Sequence, residues 1–241
     1  MTRLTGGIDF GGTNIKLGLV TDRGRVAAHA SFPTKGIASP HALVDAVARA
    51  IDALARQQGV SPRAIRGAGM GVPGLVDPRR GLVHRLTNVP GRWREIPLGA
   101  MLAKRLGWPC VVDNDVNVVA LGEWRFGAGR GTTDSVYVTL GTGVGGGLVV
   151  NGRLVRGVSG SAGEIGHTLI RAGGPRCGCG ARGCLEAFIG TRPILAEARA
   201  AIRRHPRGAL AQAAAGRALT PELIARVAAA DAQARAIWRR F

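Results

Sequence analysis

Short apolar runs broken by glycine-rich turns set the pattern of this chain. In GGIDFGGTNIKLGLVTDRGRVAAH the hydrophobic positions fall in strand-length groups, with a Gly-rich turn at Asp9-Phe10-Gly11-Gly12-Thr13 and a tight turn at Asp22-Arg23-Gly24. The segment therefore predicts strand, turn, strand, turn, strand. The same order returns in SVYVTLGTGVGGGLVVNGRLVRG. There Thr139-Leu140-Gly141-Thr142-Gly143 takes the place of the first Gly-rich turn and Asn151-Gly152 that of the second. A supersecondary unit that occurs twice predicts two related α/β domains facing each other, 1–112 and 113–241.

Between the two copies the period changes. SPHALVDAVARAIDALARQQG has Ser39 as N-cap, Pro40 in the first turn, and Leu43, Val44, Val47, Ile51 and Leu54 on one stripe, which predicts a packing helix. The strand-like IRGAGMGVPGLVD follows, then RLTNVPGRW, then WPCVVDNDVNVVALGEWRFGAG. In the last of these an apolar strand ends at Asp113-Asn114-Asp115 and a helix with Val118, Val119 and Leu121 begins. That puts a polar triplet at the carboxyl end of a strand, where α/β folds bind ligands. Capping of the helix by Asp113 or Asn114 is the plainer explanation of the triplet. At the far end, PELIARVAAADAQARAIWRRF carries Leu223, Ile224, Val227, Ile237, Trp238 and Phe241 at roughly helical spacing and stops without a Gly or Asn cap. This predicts a helix and a fragment or truncated frame.

Composition narrows the function classes. At 241 residues and 46% hydrophobic, the chain can bury a sizeable core. The start, MTRLTGGIDFGG, lacks a basic-then-apolar signal pattern, and no apolar run approaches the roughly 18 residues that span a bilayer. The expectation is a protein of the reducing cytoplasm with no membrane partner. Its net charge of +18 raises nucleic acid as a ligand. The arginines are scattered, however, with no dense basic run, and no helix-turn-helix segment precedes the first strand, which argues against that partner. Three of the four cysteines lie in CGCGARGC. In a reducing compartment such a cluster holds metal or does redox chemistry more often than it forms a structural disulfide. Cys110, inside WPCVVD, reads as a small buried side chain.

The glycine loops resemble commoner motifs without matching them. GTGVGG lacks the helix that must follow a dinucleotide fingerprint, because GGGLVVNGRLV continues as strand. No Gly-Lys-Ser or Gly-Lys-Thr opens a helix, so a P-loop is absent too. What remains is a pair of hairpin turns whose backbone N–H groups, with the Thr13 and Thr142 hydroxyls, suit phosphate oxygens.

Taken in order, DFGGTNIK, GVPGLVD, DNDVN, GTGVGGG, GEIGH and CGCGARGCLE resemble the ROK family (repressor, open reading frame, kinase), and within it the bacterial glucokinases. The resemblance implies an actin-like ATPase (ribonuclease H-like) fold, with two α/β domains flanking a cleft that takes ATP and sugar. His167 with Cys177-x-Cys179-x4-Cys184 supplies one imidazole and three thiolates, a closed Cys3His set suited to structural zinc. Gly178, Gly180 and Gly183 would let the chain wrap the ion, and a regulatory disulfide is the alternative.

By the same resemblance Glu164, His167 and Glu186 contact sugar hydroxyls. The implied reaction is phosphoryl transfer from ATP to a hexose, foremost the glucose 6-OH, with Asp115 as the base and Asn114 and Asn88 holding hydroxyls. Asp9 would order magnesium, while Gly11, Gly12, Thr13, Lys16, Gly141, Thr142 and Gly143 cradle the phosphates. Family members usually continue for several tens of residues beyond the point where this sequence stops, and that part carries adenosine contacts. Alternatives are a non-catalytic sugar-binding or regulatory member and an N-acyl-hexosamine kinase, with a repressor disfavoured. A homo-oligomer, dimer or tetramer, is the expected assembly.

Overall fold

The computed structural model describes residues 3–61, 64–87, 89 and 91–241. Its elements run β1 (Leu4–Phe10), β2 (Asn14–Thr21), β3 (Val26–Pro33), α1 (Pro40–Gln57), β4 (Ile65–Val72), β5 (Gly74–Asp77), β6 (Leu82–Leu86), β7 (Arg94–Ile96), α2 (Leu98–Leu106), β8 (Cys110–Asn114) and α3 (Asp115–Phe126). They continue with β9 (Ser135–Leu140), β10 (Val144–Val150), β11 (Arg153–Val155), a 3-10 turn at Ile165–His167, α4 (Glu186–Ile189), α5 (Thr191–Arg204), α6 (Ala209–Ala214), α7 (Pro221–Ala228) and α8 (Ala232–Trp238). Two compact units result: Met1–Tyr137 with Gly147–Gly163, and Val138–Gly146 with Glu164–Phe241. The chain passes between them inside β9 and β10. The division expected at 112–113 falls within β8, inside the first unit.

The first unit is built on a five-stranded sheet in the order β3-β2-β1-β4-β8. The β1–β2 pair is antiparallel, with Asp9 opposite Lys16, and β4 runs parallel to both β1 and β8. Alternation decides the faces. Leu4, Ile8, Phe10, Ile15, Leu17 and Leu19 all point to the buried side, where α1 adds Leu43, Val44, Val47, Ile51 and Leu54. The helix starts as its sequence predicts, with the Ser39 hydroxyl accepting the Ala42 N–H at 3.2 Å. Phe10 is fully buried and meets Trp93 edge-on, with ring centroids 5.5 Å apart. Its replacement by Ala would cost about 3–5 kcal/mol. A small sheet, β5-β6-β7, adds Val76, Val83 and Leu86 to the same core.

On the opposite face of the first sheet, α3 lies over Gly71, where a Cβ would come within 3.2 Å of the Asp115 Cα. The helix presents Asn117 and Ala120 inward and leaves Val118, Val119 and Leu121 exposed. Beside it a cavity of about 1220 Å³ opens over the sheet, lined among others by Gly7, Gly69, Val111, Leu121, Arg156 and Val158.

The second unit has its own core of Ile194, Ala198, Ala201, Leu210, Ile224 and Ile237, contributed by α5 to α8. The terminal apolar stretch is not one helix, because Asp231 interrupts it. Its carboxylate accepts the Ala234 N–H at 2.7 Å and so caps α8 as a separate element.

Candidate functional site

Both Gly-rich turns form as the sequence predicts, and each is the tip of a hairpin. In the first unit Gly11 N–H donates to the Asn14 carbonyl at 3.1 Å, closing the β1–β2 turn. A Cβ on Gly11 would come within 2.8 Å of that same oxygen, so the turn needs glycine for room. The outer side of the turn is fixed by Thr34, a residue 1% exposed. Its N–H donates to the Thr13 carbonyl at 2.9 Å and its hydroxyl to the Gly11 carbonyl at 2.7 Å. In the second unit Gly141 N–H donates to the Gly143 carbonyl at 3.0 Å. Thr191, the first residue of α5, donates its N–H at 3.1 Å and its hydroxyl at 2.5 Å to the Gly141 carbonyl.

Asp9 ends β1 next to the first turn. Asp9 is exposed on β1, yet the atoms around its carboxyl strip enough water to push it above the ordinary value of 3.8, while Lys16, its partner across the hairpin, acts in the opposite direction.

The polar triplet at the end of β8 divides its work. Asp113 is structural: its Oδ2 takes Arg156 Nε at 2.8 Å and the same guanidinium's terminal nitrogen at 2.6 Å, while its Oδ1 accepts from Asn114 N–H and the Asn117 side chain. Asn114 is the N-cap of α3, its Oδ1 accepting the N–H groups of Val116 and Asn117 at 2.9 and 3.2 Å. Its Nδ2 donates to the Gly74 carbonyl at 3.2 Å. This capping work leaves Asn114 one N–H and little acceptor capacity for a ligand. Asp115 follows in the first turn of α3, half-buried, with Oδ1 accepting from Val116 N–H at 3.0 Å. Asn88 lies outside the described residues.

The three clustered cysteines converge with His167. One ligand atom from each of the four lies within 4.8 Å of the others. Cys177 Sγ is 3.5 Å from His167 Nδ1, and Cys179 Sγ is 3.7 Å from Cys184 Sγ. A tetrahedral ion with Zn–S near 2.3 Å and Zn–N near 2.0 Å sets its ligands roughly 3.5–3.8 Å apart, so the spacing fits zinc. The thiols fit it electrostatically as well. Without a cation, burial pushes Cys177 up to about 12 and raises Cys184, while the Ala181 N–H lowers Cys179. Three adjacent thiolates need a positive charge to coexist. Cys177, Cys179 and Cys184 stand as free thiols. The wrap relies on Gly180 and Gly183, at φ +99 and +81, whereas Gly178 has no positive φ.

The metal loop is tied to the second Gly-rich turn. Val144, directly after Gly143, gives its N–H to Glu186 Oε2 at 3.0 Å. Glu186 Oε1 lies 3.6 Å from Cys177 Sγ. On the other side Gly166, beside the ligand His167, packs so closely on Val144 that a Cβ would overlap its carbonyl oxygen. Gly143 is glycine for a similar reason, since a Cβ there would run into the Glu186 carboxylate. Glu164 Oε2 stands 3.8 Å from His167 Nε2, the ring nitrogen turned away from Cys177.

The first unit therefore holds Asp9, Gly11, Gly12, Thr13, Lys16, Asn114 and Asp115, and the second holds Gly141, Thr142, Gly143, Glu164, Glu186 and the His167–Cys177–Cys179–Cys184 cluster. Four contributors escaped the sequence reading: Thr34, Thr191, Arg156 and Asn117. Thr34 and Thr191 sit 23 and 50 residues from the glycines they bind, and no local spacing marks them.

Among known proteins, a model of the ROK family matches residues 5–241. A glucokinase of Halalkalibacterium halodurans is 38% identical over 206 residues, 85% of this chain and 62% of that protein. The xylose repressor of Bacillus subtilis is 34% identical over 78% of this chain and 48% of its own length. A solved ROK family glucokinase from Streptomyces griseus, in complex with glucose and AMPPNP, superposes with a TM-score of 0.82 at 33% identity, over 98% of this chain and 75% of that one. This chain thus spans about three-fifths of the glucokinase it matches. Its fold is the mixed α/β, actin-like ATPase fold of these ROK sugar kinases. No helix among the described residues is long and apolar enough to cross a membrane.

Proposed function

Because the chain belongs to the ROK family, we propose that it serves phosphoryl transfer from ATP to a hexose hydroxyl, with glucose and its 6-OH as the first candidate. The observation that carries this reading is the matched pair of Gly-rich turns, each with its carbonyls pinned and backbone N–H groups left for an anion. Gly11, Gly12, Thr13 and Lys16 on one unit, and Gly141, Thr142 and Gly143 on the other, supply donors to the phosphates. Asp9, with its raised carboxyl, would hold magnesium through water.

A loose transition state needs alignment and a proton acceptor more than covalent chemistry. Asp115 takes the proton of the attacking hydroxyl, and the first turn of α3 fixes where its carboxylate sits. Glu164, His167 and Glu186 accept and donate to the sugar hydroxyls. Asn114, though committed as a cap, contributes its remaining N–H, and Asn88 is a further contact. His167, Cys177, Cys179 and Cys184 would hold a structural zinc with all four positions filled by protein, and its role would be to order the loop that carries these groups. We place the protein in the cytoplasm as a homo-oligomer.

A second reading, a sugar-binding member without turnover, is favoured by the xylose repressor among the relatives. Incubation with Mg-ATP and, separately, glucose, N-acetylmannosamine and xylose, followed by phosphorus NMR, tests the two. Glucose 6-phosphate as the main product supports the kinase. Sugar-dependent stabilisation with no phosphorylated product from any of the three supports the binding member.

A further inference from the structure

We propose that Thr34 and Thr191 are matched positioning residues for the phosphoryl donor, one for each Gly-rich turn. The inference rests on the reading of those turns as phosphate loops. Each threonine lies outside its motif, and each sends its hydroxyl to the carbonyl of the same motif position, the first glycine. Thr34 Oγ1 reaches the Gly11 carbonyl at 2.7 Å and Thr191 Oγ1 the Gly141 carbonyl at 2.5 Å. Each also gives its backbone N–H to its own turn, to the Thr13 carbonyl at 2.9 Å and the Gly141 carbonyl at 3.1 Å.

The consequence follows from peptide planarity. In a trans peptide the C=O of one residue and the N–H of the next point in opposite directions. Pinning the Gly11 carbonyl on Thr34 therefore aims the Gly12 N–H away from Thr34, and pinning the Gly141 carbonyl on Thr191 aims the Thr142 N–H away from α5. Among the described residues neither of these N–H groups has a hydrogen-bond partner. The Gly11–Gly12 peptide flips at little steric cost, so there the motif alone leaves the direction open; at Gly141–Thr142 the threonine side chain already resists a flip, and Thr191 reinforces the direction. A flipped peptide would turn a carbonyl toward the phosphate oxygens and repel them. The threonine hydroxyls fix the direction before the ligand arrives, which is preorganisation of donors toward developing negative charge.

Thr34 also explains a buried polar side chain that would otherwise be costly. Among the described residues the buried polar side chains are Thr21, Thr34 and Asn117, and both donors of Thr34 are spent on the turn. Thr191 is the first residue of α5, one position inside the N-cap whose side chain would serve the helix's own N–H groups. Here it faces the loop, and the N-cap position is Gly190, which makes no side-chain bond.

The test compares Thr34→Val and Thr191→Val, which keep the shape and remove the hydroxyl, with Thr34→Ser and Thr191→Ser, which keep it. Binding of Mg-AMPPNP and of glucose is measured separately by calorimetry. Each Val variant should weaken Mg-AMPPNP by about tenfold with glucose affinity unchanged, and each Ser variant should restore nucleotide binding to within about threefold. A general loss of fold would weaken both ligands and would not be rescued by Ser. Val variants that bind Mg-AMPPNP like the parent, or that lose glucose equally, overturn the proposal while leaving the phosphate loops standing. If the parent chain itself shows no response to Mg-AMPPNP, the phosphate reading fails and this inference goes with it.

Discussion

Asp9 shows what a single residue contributes and what it costs. Partial loss of solvation raises its carboxyl although the residue is exposed, so folding shifts it toward the protonated form relative to the unfolded chain. Such a group contributes stability that is fully present below the unfolded value near 3.8 and is lost as pH rises through the folded value. Asp9→Asn, neutral at every pH, should thus match the parent in acid and equal or exceed its melting temperature at neutral pH, while losing the stabilising response to Mg-ATP. A pH series of melting curves checks this. An Asn variant less stable at neutral pH than in acid, relative to the parent, would show that the Lys16 pairing outweighs desolvation.

Asn117 poses the opposite case. It is 2% exposed and its amide holds Asp113, which in turn holds Arg156. Asn117→Ala should destabilise by about 1–3 kcal/mol, measured by urea unfolding. The sequence shows the polar triplet but not this division of labour, because Asp113, Asn114 and Asp115 look alike until the direction of each side chain is known. It also suggests an apolar face for α3 through Val118, Val119 and Leu121, whereas the helix buries Asn117 and Ala120.

At the level of elements, the hairpins and α1 were legible because each is specified locally. Alternation fixes the faces of β1 and β2, and Asn151-Gly152, both at positive φ, fixes the β10–β11 turn. The Cys/His cluster was legible for the same reason, with three of its four members within eight residues. What joins elements was not. The grip of Glu186 and Gly166 on Val144 links the metal loop to the second Gly-rich turn across 42 residues of chain. The break at Asp231 was hidden by helical spacing on both of its sides.

The linkage makes the metal loop's order a condition for the turn's. Cys179→Ser should release zinc and lower the melting temperature, since formation of such a site is coupled to folding. It should also speed amide exchange at Val144. Full zinc content in the purified variant would contradict the ligand assignment, and unchanged exchange at Val144 would contradict the linkage. Gly166→Ala tests the same contact without touching a ligand, because the added methyl must push the Val144 carbonyl away. It should accelerate exchange at Val144 with zinc retained.

For the molecule as a whole, two units with separate hydrophobic cores divide the assigned chemistry, the base on one and the metal loop on the other. The mixed α/β fold is that of the ROK sugar kinases. The most direct test of the account is a rapid-quench measurement of phosphoryl transfer from Mg-ATP to glucose by the parent chain and by Asp115→Asn, with glucose binding followed in parallel. The account predicts glucose 6-phosphate from the parent and a rate lower by about 10²–10⁴ in the variant, with glucose affinity kept within about tenfold. Transfer in the variant within about twofold of the parent would contradict it.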